Sequence, residues 1–443
     1  MTKKNSIFTM IFVLIILAVS NIVVYASPTL SAPNAVLIDS ITGKVLFDHN
    51  AHTITYPAST TKVMTAILVL ENVDLDEVIT KTDNNYVIGS SMYLLEGESF
   101  TVEELLQSLM IRSANDAAEL LAIHISGSVE DFALLMNSRA KELGALNTHF
   151  TNPHGLPDEN HVTTAYDLAM ITRHAMTFDV FREIVTTTML IFEPTEFTPE
   201  TRYFRNTNRF LWGTGAGNQI LYNGAYTNIQ YDIIDGVKTG YTPAAQNCLI
   251  SSATKEDHQL ISVVLGAQGL NVYTDSRSLI DYGYNNYQFV QLSQYDDLIT
   301  TIPLKNGIED SVPLYVGNQL DVVISRDINI SEINDEIIIN ENLEAPILSG
   351  DTLGKIVYSV DEELIGEVQL VAKNNIDTKP LLRKLIVPSN LFLTLIILFL
   401  LWQAFIISLR IKKRRKKSTY WGGTSTSYTF NKNLLKTNIY KKK

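Results

Sequence analysis

The chain has one cysteine, Cys248, in 443 residues, so no intramolecular disulfide holds its fold. No low-complexity tract precedes its C-terminal tail, and 46% hydrophobic with 19% charged residues is the make-up of a folded protein long enough for two or three domains. Positive charge is scarce over most of its length. Twelve Lys or Arg and no acid lie between Arg410 and Lys443, and two more bases, Lys3 and Lys4, lie at the other end. Residues 27–409 are left with 21 bases against 47 acids, a net of −26. Such a body repels nucleic acid, whose binding needs clustered positive charge. H-E-x-x-H and other close metal-ligand pairs are also missing, so His154 and His161 read as loop histidines, and neither metal nor cofactor is expected.

Two stretches lack charge. Ile7–Val24 follows Lys3 and Lys4 and leads into Val24-Tyr25-Ala26. Permissive residues at −3 and −1 predict a signal peptide over 1–26, with an uncleaved anchor as the alternative. Leu385–Leu409 is 25 residues without a charge, and at ~1.5 Å per residue that suffices to cross a ~30 Å hydrocarbon core. The basic run directly after it predicts that the tail, 410–443, is cytoplasmic, against the anionic inner face of a membrane. The acidic body is then outside, tethered at its C-terminal end.

Between these ends, Asn34–Asp39 and Lys44–Phe47 read as strands around a Thr42-Gly43 turn. Val63–Leu70 is apolar almost all round, which predicts a helix buried within a domain. Helical patterns follow at Val102–Ile111, Asp116–Ile125, Val129–Leu143 and Thr164–Met176. Strands return at Ile233–Val237, Asn247–Ala253 and Gln259–Gly266, the last two as a hairpin over Lys255-Glu256-Asp257, and a helix is expected over Tyr273–Tyr282. This is an α/β arrangement, a sheet packed against a mostly helical part. From about Val290 short β-rich segments alternate with Asn, Asp and Gly turns. The organisation expected is a catalytic domain over 27–289, a small all-β domain over 290–375, a linker over 376–384 and the membrane helix over 385–409.

Three short motifs suggest chemistry. Ser59-Thr60-Thr61-Lys62 sets a hydroxyl and an amine three residues apart at a helix start, on one face. Beside a lysine held neutral such a hydroxyl becomes a nucleophile. Alone the pattern is weak, because Ser138–Lys141 and Ser252–Lys255 match it equally. The single S-x-N, Ser113-Ala114-Asn115, lies in a break between two helix patterns, where a hydroxyl and an amide can relay a proton and bind a peptide group. The single K-T-G, Lys238-Thr239-Gly240, supplies a charge and a donor for a carboxylate, and its glycine lets a substrate backbone come close. Only Ser59 has both partners downstream in this order, which is that of class A β-lactamases and penicillin-binding proteins.

From about Leu30 to Ala372 the chain resembles the low-molecular-weight penicillin-binding proteins, the serine-type D-alanyl-D-alanine carboxypeptidases. The resemblance is carried by Tyr56–Lys62, Ser113–Ala118, Asp235–Thr242, Asn152–Pro157 with His161 and Thr163–Ala165, and Ile261–Gly266. Ala345-Pro346-Ile347 and Gly350 resemble the family's second domain. It implies a β-lactamase/penicillin-binding-protein-like α/β (α+β) catalytic domain, then the β domain and a C-terminal helix in a bacterial cell membrane. It implies that Ser59 attacks the carbonyl between the last two D-alanines of a peptidoglycan stem peptide, with Lys62 as base. Ser113 passes a proton to the leaving amine and Asn115 holds the substrate amide. Lys238 and Thr239 face the terminal carboxylate, Gly240 leaves room, and the N–H groups of Ser59 and Tyr241 form the oxyanion hole. β-Lactams then act as covalent inhibitors on Ser59. One feature departs: the arginine many members carry before an aromatic-x-Asp is Val272 here, ahead of Tyr273-Thr274-Asp275, and Arg277 replaces it only if it faces the site. Two alternatives remain at this level. One is a β-lactamase, whose E-x-x-L-N is matched only imperfectly by Glu142 and Leu146-Asn147; the other is a non-catalytic penicillin-binding wall scaffold.

Overall fold

The computed structural model describes residues 27–380 and 391–418. The expected signal peptide, residues 381–390 and the tail beyond Ser418 lie outside the described residues. Two compact units are present: residues 27–295 with 318–337 and 356–368, and residues 296–317 with 338–355, 369–380 and 391–418.

The first unit is built on a five-stranded antiparallel sheet ordered Val45–His49, Asn34–Asp39, His258–Ala267, Gln246–Lys255, Ile234–Thr242. Its inner strands are apolar on both faces because both are covered. Val36, Ile38, Ile250, Ile261 and Val263 enter one core, while Ala35, Leu37, Leu249, Leu260 and Val264 enter the other. That alternation is the period-two geometry of a strand. The first core is closed by the helices Lys62–Asn72, Asn115–Ser126 and Ala165–Ala175, the second by Asn271–Asn286. In the Lys62–Asn72 helix every residue from Lys62 to Val69 is buried, which explains its apolar sequence. Fully burying such an aliphatic side chain contributes roughly 1.5–3 kcal/mol.

The elements read from the sequence are present with modest shifts. The Tyr273–Tyr282 helix runs from Asn271 to Asn286, and the Gln246–Lys255/His258–Ala267 hairpin turns over Glu256-Asp257. The long stretch without a strong pattern, residues 177–232, holds a helix, Asp179–Thr186, and two hairpins. The second, Gln219–Tyr222 with Ala225–Asn228, turns on Asn223-Gly224, both at positive φ, the geometry that favours Asn-Gly in a two-residue loop. Tyr287–Ser293 pairs with Leu320–Ser325 in this same unit.

In the second unit Leu298–Pro303 pairs with Ser311–Val316, whose Leu314 lies opposite Ala372. This unit also carries the helix Leu391–Ser418. The stretch from Phe392 to Arg414 is long and apolar enough to cross a membrane, and none of its most apolar window is buried within the protein. The basic residues from Arg410 continue this helix rather than ending it at Leu409. Lys and Arg are good helix formers and their charges suit a helix C-terminus.

Candidate active site

Ser59 lies in a single 3₁₀ turn, Ala58–Thr61, that runs into the Lys62–Asn72 helix, rather than in the helix itself. Ala58 has a left-handed φ of 47°, a costly conformation for a residue with a Cβ. The turn is held in three ways. Thr60 Oγ1 donates to the Pro57 carbonyl at 2.6 Å and Thr61 Oγ1 to that of Ala58 at 2.9 Å. The Asn152–Leu156 loop closes on it so tightly that a Cβ on Gly155 would stand 1.8 Å from the Ala58 carbonyl oxygen. That loop is tied to itself, with Asn152 Oδ1 accepting from Gly155 N and Asn152 Nδ2 donating to the Leu156 carbonyl.

Lys62 is completely buried, and its Nζ meets three oxygens: Asn115 Oδ1 at 2.7 Å, the His154 carbonyl at 2.8 Å and Ser59 Oγ at 3.2 Å. Burial, followed by the charge of Lys238, holds its ammonium well below the ordinary lysine range, against a smaller opposing pull from Asp116. A neutral amine has two hydrogens and one lone pair. In that form the two shorter contacts would take the hydrogens and leave the lone pair facing the Ser59 hydroxyl.

The S-x-N element forms where the chain passes from a π-type turn, Ser108–Arg112, into the helix that begins at Asn115, with Ser113 at φ 66°. Asn115 uses both ends of its amide, because Nδ2 donates to the Ile88 carbonyl at 2.7 Å while Oδ1 accepts from Lys62. Its second Nδ2 hydrogen makes no hydrogen bond among the described residues. Gly89 is required beside it, since a Cβ there would lie 2.8 Å from Asn115 Nδ2.

The K-T-G residues lie on the edge strand Ile234–Thr242. A Cβ on Gly240 would stand 3.0 Å from Ser59 N, in the space before that N–H. Lys238 is buried, and burial pushes its ammonium down to about 7. Thr239 Oγ1 donates to Thr207 Oγ1 at 2.7 Å.

One cavity of about 460 Å³ has Ser59, Ser113, Thr239, Gly240 and Tyr241 on its wall. Lys62, Asn115 and Lys238 are buried beside it. All eight residues singled out in the sequence therefore belong to one neighbourhood. Val272 and Tyr273, of the aromatic-x-Asp stretch, also line the cavity, as do Ser90, Thr207 and Arg209, which no motif marked. Arg277 does not. Its guanidinium lies over the rings of Tyr231 and Tyr222, 4.2 and 4.8 Å from their centroids, with Nε 3.9 Å from Asp281. Glu142 pairs with Arg139 at 2.8 Å and does not line the cavity. His154 pairs with Glu119, His161 with Thr61, and no group of three or more metal-ligating side chains is found among the described residues.

A serine hydroxyl facing a buried lysine whose ammonium is destabilised, under a strand that offers a cation and a glycine, defines a serine acyl-transfer hydrolase of the penicillin-binding type. The family model described as D-alanyl-D-alanine carboxypeptidase matches residues 21–269, and that of the penicillin-binding protein 5 C-terminal domain matches 287–378. D-alanyl-D-alanine carboxypeptidase DacF of Bacillus subtilis is 32% identical over 352 residues, covering 78% of this chain and 85% of that protein. DacC of Escherichia coli is 31% identical over 365 residues, covering 79% and 86%. The solved penicillin-binding protein 5 of Haemophilus influenzae superposes with a TM-score of 0.66 at 28% identity, covering 80% of this chain and 99% of that one. The chain belongs to the D-alanyl-D-alanine carboxypeptidase family, with its α/β catalytic fold followed by a β domain. It is a serine-type carboxypeptidase.

Proposed function

We propose that Ser59 is the nucleophile that removes the terminal D-alanine from peptidoglycan stem pentapeptides. The observation that carries this is the buried Lys62 Nζ, with Asn115 Oδ1 at 2.7 Å, the His154 carbonyl at 2.8 Å and Ser59 Oγ at 3.2 Å. Lys62 takes the hydroxyl proton as Oγ bonds to the carbonyl carbon of the penultimate D-alanine. The N–H groups of Ser59 and Tyr241 receive the oxyanion, each such donor being worth roughly 3 kcal/mol in related chemistry. The C–N bond then breaks, and a proton delivered through Ser113 leaves with free D-alanine. Water next attacks the ester on Ser59, Lys62 again accepting its proton, and the shortened peptide departs. Asn115 holds the substrate amide, and Lys238 and Thr239 face the terminal carboxylate. A β-lactam enters the same cavity and acylates Ser59.

Residues 27–289 act as the catalytic domain and 290–375 as a separate β module. The apolar helix anchors the chain in a bacterial cell membrane, with the catalytic body on the extracytoplasmic face and residues 1–26 removed on export. The test is a paired assay on the full chain in detergent. Release of D-alanine from a pentapeptide ending in D-Ala-D-Ala, together with slow turnover of labelled penicillin, is the expected result. Penicillin labelling without D-alanine release favours the scaffold reading, and rapid penicillin hydrolysis a β-lactamase.

A further inference from the structure

The Gln246–Lys255 strand borders the Ser59 cavity at Asn247 and Cys248, and its other end borders a second cavity, of about 610 Å³, at Lys255. Seven residues at ~3.3 Å each set the two about 23 Å apart along the strand, and they share no wall residue. The whole wall of this second cavity belongs to the first unit. Part of it is aromatic. The His258 ring is stacked on Phe289 at 6.1 Å and stands edge-on to Tyr284 at 5.5 Å, and all three line the cavity. Beside the rings are planar polar groups: Gln291 lies directly opposite Asp321 on the paired strands, and Gln288 and Gln319 join them on the wall.

Two of these polar groups are incompletely bonded. Asp321 accepts from Gln319 Nε2 through Oδ2, while its Oδ1 is buried and has no hydrogen bond among the described residues. His258 is buried, with Nε2 3.2 Å from Asp39 Oδ2 but off the line of a good hydrogen bond. That carboxylate keeps the ring hydrogen on Nε2, so Nδ1 is left as an acceptor, and it too has no partner among the described residues. Buried acceptors left unpaired are costly, and on a cavity wall they call for a ligand that donates. The ligand need not be an ion, because Lys255 and Arg326 on this wall are offset by Glu256, Asp257 and Asp321. A further cavity, of about 540 Å³, meets this one at the exposed Ile41, which lines both, and Gln259, next in sequence to His258, lines it. Two cavities joined in this way suit a chain better than a single small molecule.

We infer that the cavity at His258 and Asp321 binds a saccharide chain, the acetamido-sugar glycan that bears the stem peptides. The saccharide class rests on the chemistry of the cavity, and its identity as the cell-wall glycan rests on the carboxypeptidase reading. A sugar ring sets an apolar C–H face against aromatic rings and offers hydroxyl and amide groups at its edge to Gln, Asp and His. The volume is in the usual range for a small-ligand site. A pentapeptide reaches at most about 18 Å, so the peptide cleaved at Ser59 is borne farther along the glycan than the sugar that is held. The site keeps the enzyme on the polymer between cleavages.

The experiment has a binding arm and a kinetic arm, both on the full chain in detergent. A β-1,4-linked N-acetylglucosamine tetrasaccharide should bind the wild type and Ser59→Ala equally. Gln291→Ala with Asp321→Ala removes two hydrogen-bonding groups and should weaken that binding about 10-fold. On pentapeptides attached to uncross-linked glycan chains, the same double variant should raise KM about 10-fold with kcat unchanged, and on the free pentapeptide it should stay within about twofold of wild type. Gln291→Trp, which fills the cavity from an exposed position, should act likewise, and it decides if the double variant melts well below the wild type. A wild type that does not bind the tetrasaccharide, equal binding by wild type and variant, or a preference for a poly(glycerol phosphate) chain overturns the inference. Lost tetrasaccharide binding with an unchanged KM on glycan chains overturns the assignment to the glycan. A wild type that releases D-alanine from neither substrate refutes the carboxypeptidase reading, while the binding arm still decides the saccharide site.

Discussion

Thr61 Oγ1 and His161 Nε2 stand 2.8 Å apart, and this bond fixes the tautomer of a buried histidine. Thr61 donates its own hydrogen to the Ala58 carbonyl, so it must accept from Nε2–H. His161 Nδ1 then accepts from Thr151 N at 3.0 Å. The chain of bonds runs from the loop through a neutral imidazole to the turn bearing Ser59. Burial, then the charge of His154, pushes His161 down to about 3. Between there and the ordinary value near 6.5 the unfolded chain binds a proton that the folded one does not. Stability should therefore fall as pH drops from about 6.5 toward 3. His161→Gln, followed by urea unfolding, should cost stability at pH 7 and close the gap to wild type by pH 4. A gap that is constant with pH contradicts the assignment.

The buried lysine pair predicts a bell-shaped pH dependence of kcat/KM. The acid limb rises as Lys62 loses its proton, and the alkaline limb falls as Lys238, held down to about 7 by burial, loses its own. The two apparent values belong to the pair, since the charge of one depresses the other. Because the folded pKa of Lys238 is below that of the unfolded chain, its contribution to stability rises with pH from about 7 to about 10. Lys238→Met should accordingly raise the melting temperature at pH 7 while weakening binding of a peptide that ends in a free carboxylate. A flat activity profile from pH 5 to 10 contradicts this account.

Glu98 and Arg202 form a buried ion pair with closest approach 3.0 Å and side-chain exposures of 0% and 7%. Glu98 also accepts from Thr195, Thr198 and Leu95 N, and the guanidinium lies over the rings of Phe100 and Phe192. Removing one partner strands the other charge, so Glu98→Ala should cost about 3–5 kcal/mol in denaturant unfolding. The double change Glu98→Met with Arg202→Met should cost distinctly less. If the double variant loses as much as the single, the stranded charge is not the cause.

The chemistry of the site was more legible in sequence than its walls. S-x-x-K, S-x-N and K-T-G each impose a local geometry, so residue type and order suffice to find them. Thr207 and Arg209 reach the cavity only because the 177–232 region folds onto the K-T-G strand, and no periodic pattern reports that. Arg277 shows the converse limit. A cation one turn along a helix is in reach by spacing, yet Tyr222, Tyr231 and Asp281 draw it to another face. The placement of Ser59 before the helix, not within it, depends on Gly155 and the left-handed Ala58, which are tertiary facts.

The exposed apolar helix gives a prediction about location. Full-length protein expressed in a bacterium should sediment with membranes and need detergent for release. A chain ending after Pro380, which omits Phe392–Arg414, should be soluble and still acylated by penicillin. A truncated chain that stays with the membranes would mean that the helix is not the anchor.

The central claim concerns one oxygen atom, Ser59 Oγ, and mass spectrometry tests it most directly. After incubation with benzylpenicillin, the intact chain should gain one equivalent of the drug, and peptide mapping should locate it on Ser59. Ser59→Ala should lose both this adduct and the release of D-alanine while keeping its melting temperature. An adduct on another serine, or D-alanine release that survives in Ser59→Ala, would contradict the account.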